Sequence, residues 1–247
     1  MYPILFSVGD VPIYSYGVFI LLGTIVLFAI VYVLARGNGH TREQIMPIMI
    51  GSFVGAFVVA RLSQAFLEPD QAERYLDFYG LLRPAIPGNV VGLMIGGYLG
   101  GLMMQRSLRL PSIGNYYALA LACGHAIWRV GCTLAGCCYG KPTNLPWAIY
   151  EDDAYRHPTM IYDGLFNLAM IAVLWRLRNR ITRADELLFC YFGAYAFFRF
   201  WLEYIRVYPV VALGLTGAQW LCLASLVVLG GYVLFRNTKP LVRGSAA

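Results

Sequence analysis

Charged residues are scarce in this 247-residue chain, where Asp, Glu, Lys and Arg together make up only 13% of the sequence. Hydrophobic residues make up 59%, and the mean hydropathy is +0.61. A soluble domain of this size could bury a core, but it could not hide so much apolar surface from water. The composition therefore excludes a soluble globular protein and predicts an all-α polytopic membrane protein, with residues 1–247 forming a single membrane domain.

Two further features are missing from the sequence. The opening residues, MYPILFSVGD, contain no basic residue and include Asp10, so we expect no typical cleaved signal peptide. The six cysteines do not resemble the disulfide framework of a small secreted protein, because five of them lie in apolar runs or at their edges. No internal repeat or low-complexity run is evident.

Seven apolar segments approach the length of about 20 residues that a helix needs to cross a bilayer. They cover residues 14–35, 45–67, 88–105, 113–130, 160–175, 187–205 and 216–235. Two connections between them are long and polar. One is an acidic external arm at about 68–87, and the other is an external loop at about 139–158 that contains three prolines and that we expect to fold over the site.

The distribution of Lys and Arg predicts the orientation of these segments. The alternate connections 36–44, 106–112, 176–186 and 236–247 hold 11 of the 19 basic residues, and the other set of connections holds 5. By the positive-inside rule, the amino terminus lies outside and the carboxyl terminus lies in the cytoplasm. The net charge of +6 thus follows membrane topology and anionic lipid, and we expect no nucleic-acid partner.

The stretch 124–141, GHAIWRVGCTLAGCCYGK, combines an apolar helix pattern with ionisable residues. His125, Arg129 and Cys132 are spaced so that they would share one helix face. An arginine inside a membrane costs about 2.5 kcal/mol or more unless it faces a partner or a wet cavity. The bend at residues 136–140 is bounded by glycines, which would let the backbone approach a ligand closely. This combination predicts an anion held inside the membrane.

Arg61 and Arg199 are the other arginines within predicted spans. Arg199, Glu203 and Arg206 lie at i, i+4 and i+7, so Glu203 could pair with either arginine and serve only to hold helices together. Acidic residues within the spans are few, however, and they cannot neutralise Arg61, Arg129 and Arg199 together. The surplus positive charge favours an anion, and phosphate suits the planar guanidinium group, so we expect a phospholipid ligand.

Cys132, Cys137 and Cys138 leave several roles open. They could bind zinc, form a disulfide, act as nucleophiles or simply pack. The spacing C-x4-C-C lacks the C-x2-C of common zinc sites, so we expect no metal ion and no cofactor. A disulfide would join Cys132 to one of the other two more readily than it would join the adjacent pair.

His157 and His125 are both candidate general bases. His157 precedes a proline at the start of the fifth span and could instead donate to phosphate or cap the helix, although Thr159 suits the cap position better. His125 lies one turn before Arg129 and could equally be a hydrogen-bonded interior histidine.

The third predicted span carries glycines at positions 88, 92, 96 and 100, and two more at 97 and 101. A four-residue repeat of glycine makes a flat helix face. Such a face favours close packing against another helix over a direct role in ligand binding.

Residues 128–140, WRVGCTLAGCCYG, resemble the signature of the prolipoprotein diacylglyceryl transferase family, whose usual form is GRIGNFINGELWGR. Further motifs similar to those of the family follow in the expected order, at residues 13–17, 60–62, 157–163, 199–206 and 217–219. The resemblance therefore extends along most of the chain.

The resemblance implies a multi-pass enzyme of the bacterial cytoplasmic (inner) membrane, with a site that opens toward the outer face. In this family a diacylglyceryl group passes from phosphatidylglycerol to the thiol of a lipobox cysteine in a secreted lipoprotein precursor, and glycerol phosphate leaves. The implied partners are phosphatidylglycerol, or a similar phospholipid, and the lipobox-containing precursor peptide.

Carried over by position, Arg129 and Arg199 would hold the phosphate and the leaving group, while Glu203 and Arg206 shape the site. Tyr16, which its position alone would make an interfacial anchor, would lie in the head-group cavity. Gly140 would allow a close approach. The expected catalytic residues are Arg129, Arg199, Glu203, His157 and His125, and the expected substrate-binding residues are Tyr16, Arg61, Gly140, Lys141, Tyr162 and Arg206.

Departures from the family pattern concern the acceptor side of the reaction. Ile95 stands where the family has the histidine proposed as its catalytic base, Cys132 replaces the signature asparagine, Cys137 replaces its glutamate, and Lys141 replaces an arginine. One of the histidines or a thiolate of the cysteine cluster could replace the lost base. Two alternative functions stay open, a related phospholipid-dependent transferase with a different acceptor and a non-catalytic lipid-binding membrane protein, and a thiol oxidoreductase or zinc protein is a further possibility.

Overall fold

A computed structural model describes residues 2–67, residue 73 and residues 89–238 of the chain. In this part of the chain the structure is mainly helical, with seven long α-helices and three short antiparallel β-hairpins. The helices are α1 (Ser15–Gly37), α2 (Arg42–Leu67), α3 (Val90–Ser107), α4 (Gly114–Ala135), α5 (Thr159–Leu177), α6 (Glu186–Leu202) and α7 (Gly217–Thr238). The hairpins pair β1 (Ile4–Val8) with β2 (Val11–Tyr14), β3 (Ile149–Glu151) with β4 (Ala154–Arg156), and β5 (Val210–Ala212) with β6 (Leu215–Thr216).

Five of these helices, α1, α2, α4, α5 and α7, are long and apolar enough to cross a membrane. The other two, α3 and α6, are shorter, with 18 and 17 residues. Each apolar segment predicted from the sequence overlaps one of the seven helices. The prediction of a helical membrane protein is therefore confirmed.

Two predicted segments need comment. The sixth segment was expected to be helical to residue 205, but α6 ends at Leu202 and a single 3-10 turn covers Glu203–Ile205. Arg206 then adopts an extended conformation. The external arm predicted at 68–87 lies outside the described residues, apart from residue 73.

The helix that carries Arg129, α4, packs closely against α1. A Cβ atom added at Gly23 would lie 2.7 Å from the carbonyl oxygen of Gly124, and one added at Gly124 would lie 2.8 Å from that of Gly23. One turn further along, the indole N–H of Trp128 donates to the carbonyl oxygen of Ile20 at 3.0 Å. The two glycines allow the backbones to approach, and the indole fixes the register between the helices.

The glycine face predicted on α3 packs against α2. A Cβ atom at Gly96 would overlap the carbonyl oxygen of Gly55, and one at Gly100 would overlap that of Gly51. In lipid, where helix association depends on van der Waals contact, such glycines permit a close fit. The predicted packing role is thus confirmed for this part of the repeat, whereas Gly88 lies outside the described residues.

We expect Gly96→Ala to lower the thermal stability of the purified protein, by an amount equivalent to about 1–3 kcal/mol. The added methyl group would have to displace the Gly55 carbonyl group and the Cβ atom of Val59, which would lie 2.5 Å away. The neighbouring Gly97→Ala is the matched control, because its nearest contact would be the Cβ atom of Ala56 at an ordinary 3.5 Å. Melting curves in detergent compare the two variants, and equal losses would contradict the proposed fit.

Candidate active site

A cavity of about 370 Å³ opens at one end of the helix bundle. Its lining comes from the first turns of α1, α3 and α7, from the last turns of α2, α4 and α6, and from the connections that follow α4 and α6. The up-and-down topology brings these segments to the same end of the bundle. Tyr16 and Gln64 are among the residues that line the cavity. The charged, histidine and cysteine residues that line it are His125, Arg129, Cys132, Cys138, Arg199, Glu203 and Arg206.

Arg129 is buried and forms an ion pair with Asp163 on α5, with 2.6 Å between Nη2 and Oδ2. Asp163 is itself fully buried and accepts hydrogen bonds from the hydroxyl of Tyr195 at 3.4 Å and from the side-chain amide of Asn167 at 3.0 Å. His125 Nε2 lies 3.6 Å from Oδ1 of Asp163. Removing one partner of a buried ion pair costs about 3–5 kcal/mol, so this network holds Arg129 in place.

Arg199 and Arg206 share one carboxylate. Arg199 Nη2 lies 2.8 Å from Oε2 of Glu203, and Arg206 Nε lies 3.9 Å from the same oxygen. The hydroxyl of Thr216 donates to the other oxygen of Glu203 at 3.2 Å. The expectation that Glu203 could pair with either arginine is met by both contacts. The expectation of one shared helix face is wrong for Arg206, which lies beyond the end of the helix in extended backbone.

The cavity holds more positive charge than these carboxylates neutralise. Three buried guanidinium groups face two buried carboxylates, which leaves one positive charge. The Nε atom of Arg129, Nη1 of Arg199, and both Nε and Nη1 of Arg206 are buried without a hydrogen-bond partner in the part of the chain that the structure describes. Because a buried donor without a partner costs about 1–3 kcal/mol, these atoms indicate a missing acceptor.

The loop after α4 holds Arg206 against the cavity. The backbone N–H of Gly140 donates to the carbonyl oxygen of His157 at 2.8 Å, and that of Lys141 donates to the carbonyl oxygen of Ile205 at 2.7 Å. A Cβ atom at Gly140 would lie 2.9 Å from that of His157 and would overlap the Ile205 carbonyl oxygen. The close approach that Gly140 permits is therefore to the backbone beside Arg206.

Several residues predicted to form the site lie outside the cavity lining. The side chain of Lys141 is exposed, and the hydroxyl of Tyr162 accepts a hydrogen bond from the indole of Trp147 at 2.7 Å. His157 is half-buried behind the loop, and Arg61 is buried in α2 with its guanidinium 4.6 Å from a phenylalanine ring. The predicted site residues that the cavity does bring together are Tyr16, His125, Arg129, Cys132, Cys138, Arg199, Glu203 and Arg206.

The sulfur atoms of Cys132, Cys137 and Cys138 lie within 4.8 Å of one another. Cys132 is in the last turn of α4, and Gly136, with a φ of 67°, reverses the chain so that the next two residues fold back toward it. All three thiols are free. Hydrogen bonds from the other two thiols, and then the charges of Arg206 and Arg129, hold the pKa of the Cys138 thiol well below its usual value.

Thr159 does not cap α5, so that expectation is wrong. Pro158 occupies the cap position without a side-chain cap bond, and the Thr159 hydroxyl donates to the carbonyl oxygen of Cys138. Proline suits the start of a helix because the first backbone N–H groups of a helix have no partner within it. The hydroxyl of Thr159 is therefore free to connect the cysteine turn to α5.

Asp163 is the main site residue missing from the predicted set. It is the only carboxylate in the fifth apolar segment, and a lone acid in a membrane span is the same signal that identified the arginines. Asn167 follows one turn later, and Tyr191 on α6 donates to it at 2.8 Å and lies 3.4 Å from Nδ1 of His125. These last two residues carry no local signal in the sequence.

Ile95, where the resemblance implies a histidine, is not among the residues that line the cavity, although Val91, one turn before it on the same helix, is. Ile95 packs in a small apolar cluster with Val91, Ala196 and Cys222, where α3 meets α6 and α7. Val90 and Val91 at the start of α3 line the cavity, as does Asn89 just before the helix, whose side chain caps α3 by accepting hydrogen bonds from the backbone N–H groups of Val91 and Gly92. Of the three histidines in the sequence, His125 alone lines the cavity.

The fold and the cavity together define a helical membrane protein with a buried, cationic cavity at one end of its bundle. A model of the prolipoprotein diacylglyceryl transferase family matches residues 3–236. The chain therefore belongs to the prolipoprotein diacylglyceryl transferase family, as its motifs predict.

Relatives of this family resemble the chain along nearly its whole length. A protein of Thermosynechococcus vestitus is 30% identical over 257 residues, which cover 95% of this chain and 93% of the relative. One of Finegoldia magna is 27% identical over 242 residues, or 96% of both chains, and one of Gloeobacter violaceus is 28% identical over 244 residues, or 92% and 89%. All three are named phosphatidylglycerol–prolipoprotein diacylglyceryl transferase.

Proposed function

We propose that the protein transfers the diacylglyceryl group of phosphatidylglycerol to the thiol of a lipobox cysteine in a secreted lipoprotein precursor. One observation carries the proposal: three buried arginines face the cavity with one unneutralised charge and four nitrogen atoms that lack an acceptor. A phosphodiester has one negative charge and exposed oxygen atoms, so it satisfies both deficits at once. The family relatives are named for this donor and this acceptor.

The arginines would act more strongly as the reaction proceeds. The acceptor thiol gives up its proton to water at the mouth of the cavity, its sulfur forms a bond to the glyceryl carbon, and the bond from that carbon to the phosphate oxygen breaks. The phosphate group leaves as a monoester with a second negative charge, which Arg129, Arg199 and Arg206 are placed to stabilise. Because this charge develops only in the transition state, stabilising it lowers the activation barrier and does more than tighten binding.

The topology that fits this function has all seven helices crossing a bacterial cytoplasmic membrane, with the amino terminus and the cavity on the outer side. The cavity residues occupy the starts of α1, α3 and α7 and the ends of α2, α4 and α6, as seven alternating crossings require. The excess of Lys and Arg in the opposite connections supports the same orientation. Secreted precursors would then meet the cavity on the side where they emerge.

A transfer assay tests the proposed function. Purified protein is mixed with phosphatidylglycerol that is labelled in its acyl chains, and with a lipobox peptide or its cysteine-to-serine counterpart. We expect label on the cysteine peptide alone, with an equal amount of glycerol phosphate released. Glycerol phosphate without a labelled peptide would indicate a different acceptor, and bound lipid with neither product would reject the enzyme in favour of a lipid-binding protein.

A further inference from the structure

The three-cysteine cluster stands beside the proposed phosphate site, and the reaction as described so far makes no use of it. All three sulfur atoms lie within 4.8 Å of one another. In a tetrahedral zinc site, with Zn–S distances of about 2.3 Å, the sulfur atoms are separated by about 3.8 Å. Small side-chain rotations would therefore bring Cys132, Cys137 and Cys138 to coordinating distance.

The backbone at Cys138 has a strained conformation that helps to bring the three sulfur atoms together. Cys138 has a φ of 64°, in the left-handed region, which costs about 1–2 kcal/mol for a residue with a Cβ atom. The preceding turn at Gly136 needs the same region, but there glycine adopts it without strain. The Thr159 hydroxyl bonds to the Cys138 carbonyl oxygen and holds the strained residue in place. Strain of this kind is typical of functional positions.

We propose that Cys132, Cys137 and Cys138 bind one zinc ion, with a fourth coordination position open to the cavity. Thiolates select soft or borderline metal ions such as zinc, and three protein ligands with one free position are characteristic of catalytic zinc sites. Cys132 and Cys138 line the cavity, so an ion held between the three sulfur atoms lies at its wall. This proposal departs from the expectation, drawn from the cysteine spacing, that no metal ion is bound.

The surrounding charges favour such a site. Zinc with three thiolates carries a net charge of −1, because coordinated thiols lose their protons. Arg129 Nη1 lies 3.7 Å from the sulfur of Cys132, so a guanidinium group lies directly against the cluster. The zinc–thiolate group would therefore be stabilised by the arginines, and it would help to keep them in position while no lipid is bound.

The open position suits the thiol of the acceptor peptide, and this part of the inference rests on the proposed function. On binding zinc, the acceptor thiol becomes a thiolate and its proton passes to water at the mouth of the cavity. The sulfur then forms its bond to the glyceryl carbon, while the electron pair of the broken carbon–oxygen bond leaves with the phosphate. Zinc would thus promote the loss of the acceptor proton, a step in which the apolar side chain of Ile95 cannot act as a base.

Cobalt(II) is the probe for the site, because it replaces zinc and reports thiolate ligation in its absorption spectrum. The full-length protein, purified in detergent and reduced, is stripped of metal and titrated with Co²⁺. We expect one ion per chain, intense sulfur-to-cobalt charge-transfer bands, tetrahedral ligand-field bands, and loss of these bands when zinc is added. Cys137→Ser should weaken binding by about tenfold or more. Cys190→Ser, which changes an exposed cysteine on α6, should leave it unchanged.

Three results would overturn the zinc site: no charge-transfer band although the thiols are reduced, a band that Cys137→Ser does not weaken, or a disulfide within the cluster in protein purified without reductant. Loss of transfer in the metal-free enzyme, restored by zinc, supports activation of the acceptor, and full transfer without metal rejects it. If cobalt binds as expected but phosphatidylglycerol is never consumed, the proposed function fails while the metal site stands. The wild-type titration does not depend on the folding of any variant.

Discussion

Replacing Arg129 with glutamine should lower the rate of diacylglyceryl transfer by about 10²–10³-fold, the usual effect of removing one group that stabilises developing negative charge. The Nε atom of Arg129 is free of protein hydrogen bonds in the described part of the chain, so it is available to the phosphate. The rate is measured with phosphatidylglycerol and a lipobox peptide. Arg36→Gln, which changes an exposed arginine at the end of α1, is the control and should have little effect.

The single variant leaves Asp163 buried without its cation, so a loss of stability could mimic a loss of chemistry. The double variant Arg129→Gln/Asp163→Asn removes both charges of the pair and separates the two effects. We expect the double variant to melt at a higher temperature than Arg129→Gln while its transfer rate stays as low. Recovery of the wild-type rate in the double variant would show that Arg129 only balances Asp163.

Replacing Glu203 with glutamine should lower the stability of the protein by about 3–5 kcal/mol, because two buried arginines lose their shared counter-charge. An anion bound in the cavity can take over that role. We therefore expect phosphatidylglycerol in the detergent micelles to restore much of the lost melting temperature, and we expect zwitterionic phosphatidylcholine to restore little.

Glu43→Gln is the matched control for this experiment, since it makes the same change at an exposed position in the first turn of α2. Its melting temperature should change little, and it should respond equally to both lipids. Equal rescue of Glu203→Gln by the two lipids would mean that Arg199, Glu203 and Arg206 are an ion-pair staple between helices and do not bind the donor.

Both experiments test whether the carboxylates and the arginines of the cavity have separate roles. Asp163 and Glu203 hold the arginines in position, and the guanidinium atoms that they leave free are the ones proposed to bind phosphate. Removing a carboxylate should therefore act first on stability, whereas removing Arg129 should act on the rate even when its charge partner is removed with it.

The amino-acid sequence by itself determined the class of the protein and the position of its helices, and it identified two of the three arginines that line the cavity, although it selected Arg61 as well. Long apolar segments fold as helices in lipid because no other local structure satisfies their backbone groups, so each segment could be located without knowledge of its neighbours. Arg129 and Arg199 were identifiable for the same reason, since an ionisable residue in a membrane span is costly wherever its partner lies. The packing role of the glycines on α3 also followed from their spacing alone.

Tertiary structure decided which groups these residues meet. Asp163 reaches Arg129 from another helix, Tyr191 and Tyr195 complete the network from a third, and the close approach at Gly140 serves the backbone beside Arg206. The convergence of three sulfur atoms depends on a left-handed turn that spacing does not reveal. Periodicity fixes which side chains share one helix face, but contacts between helices depend on how the helices are packed and rotated against one another, which no local pattern encodes.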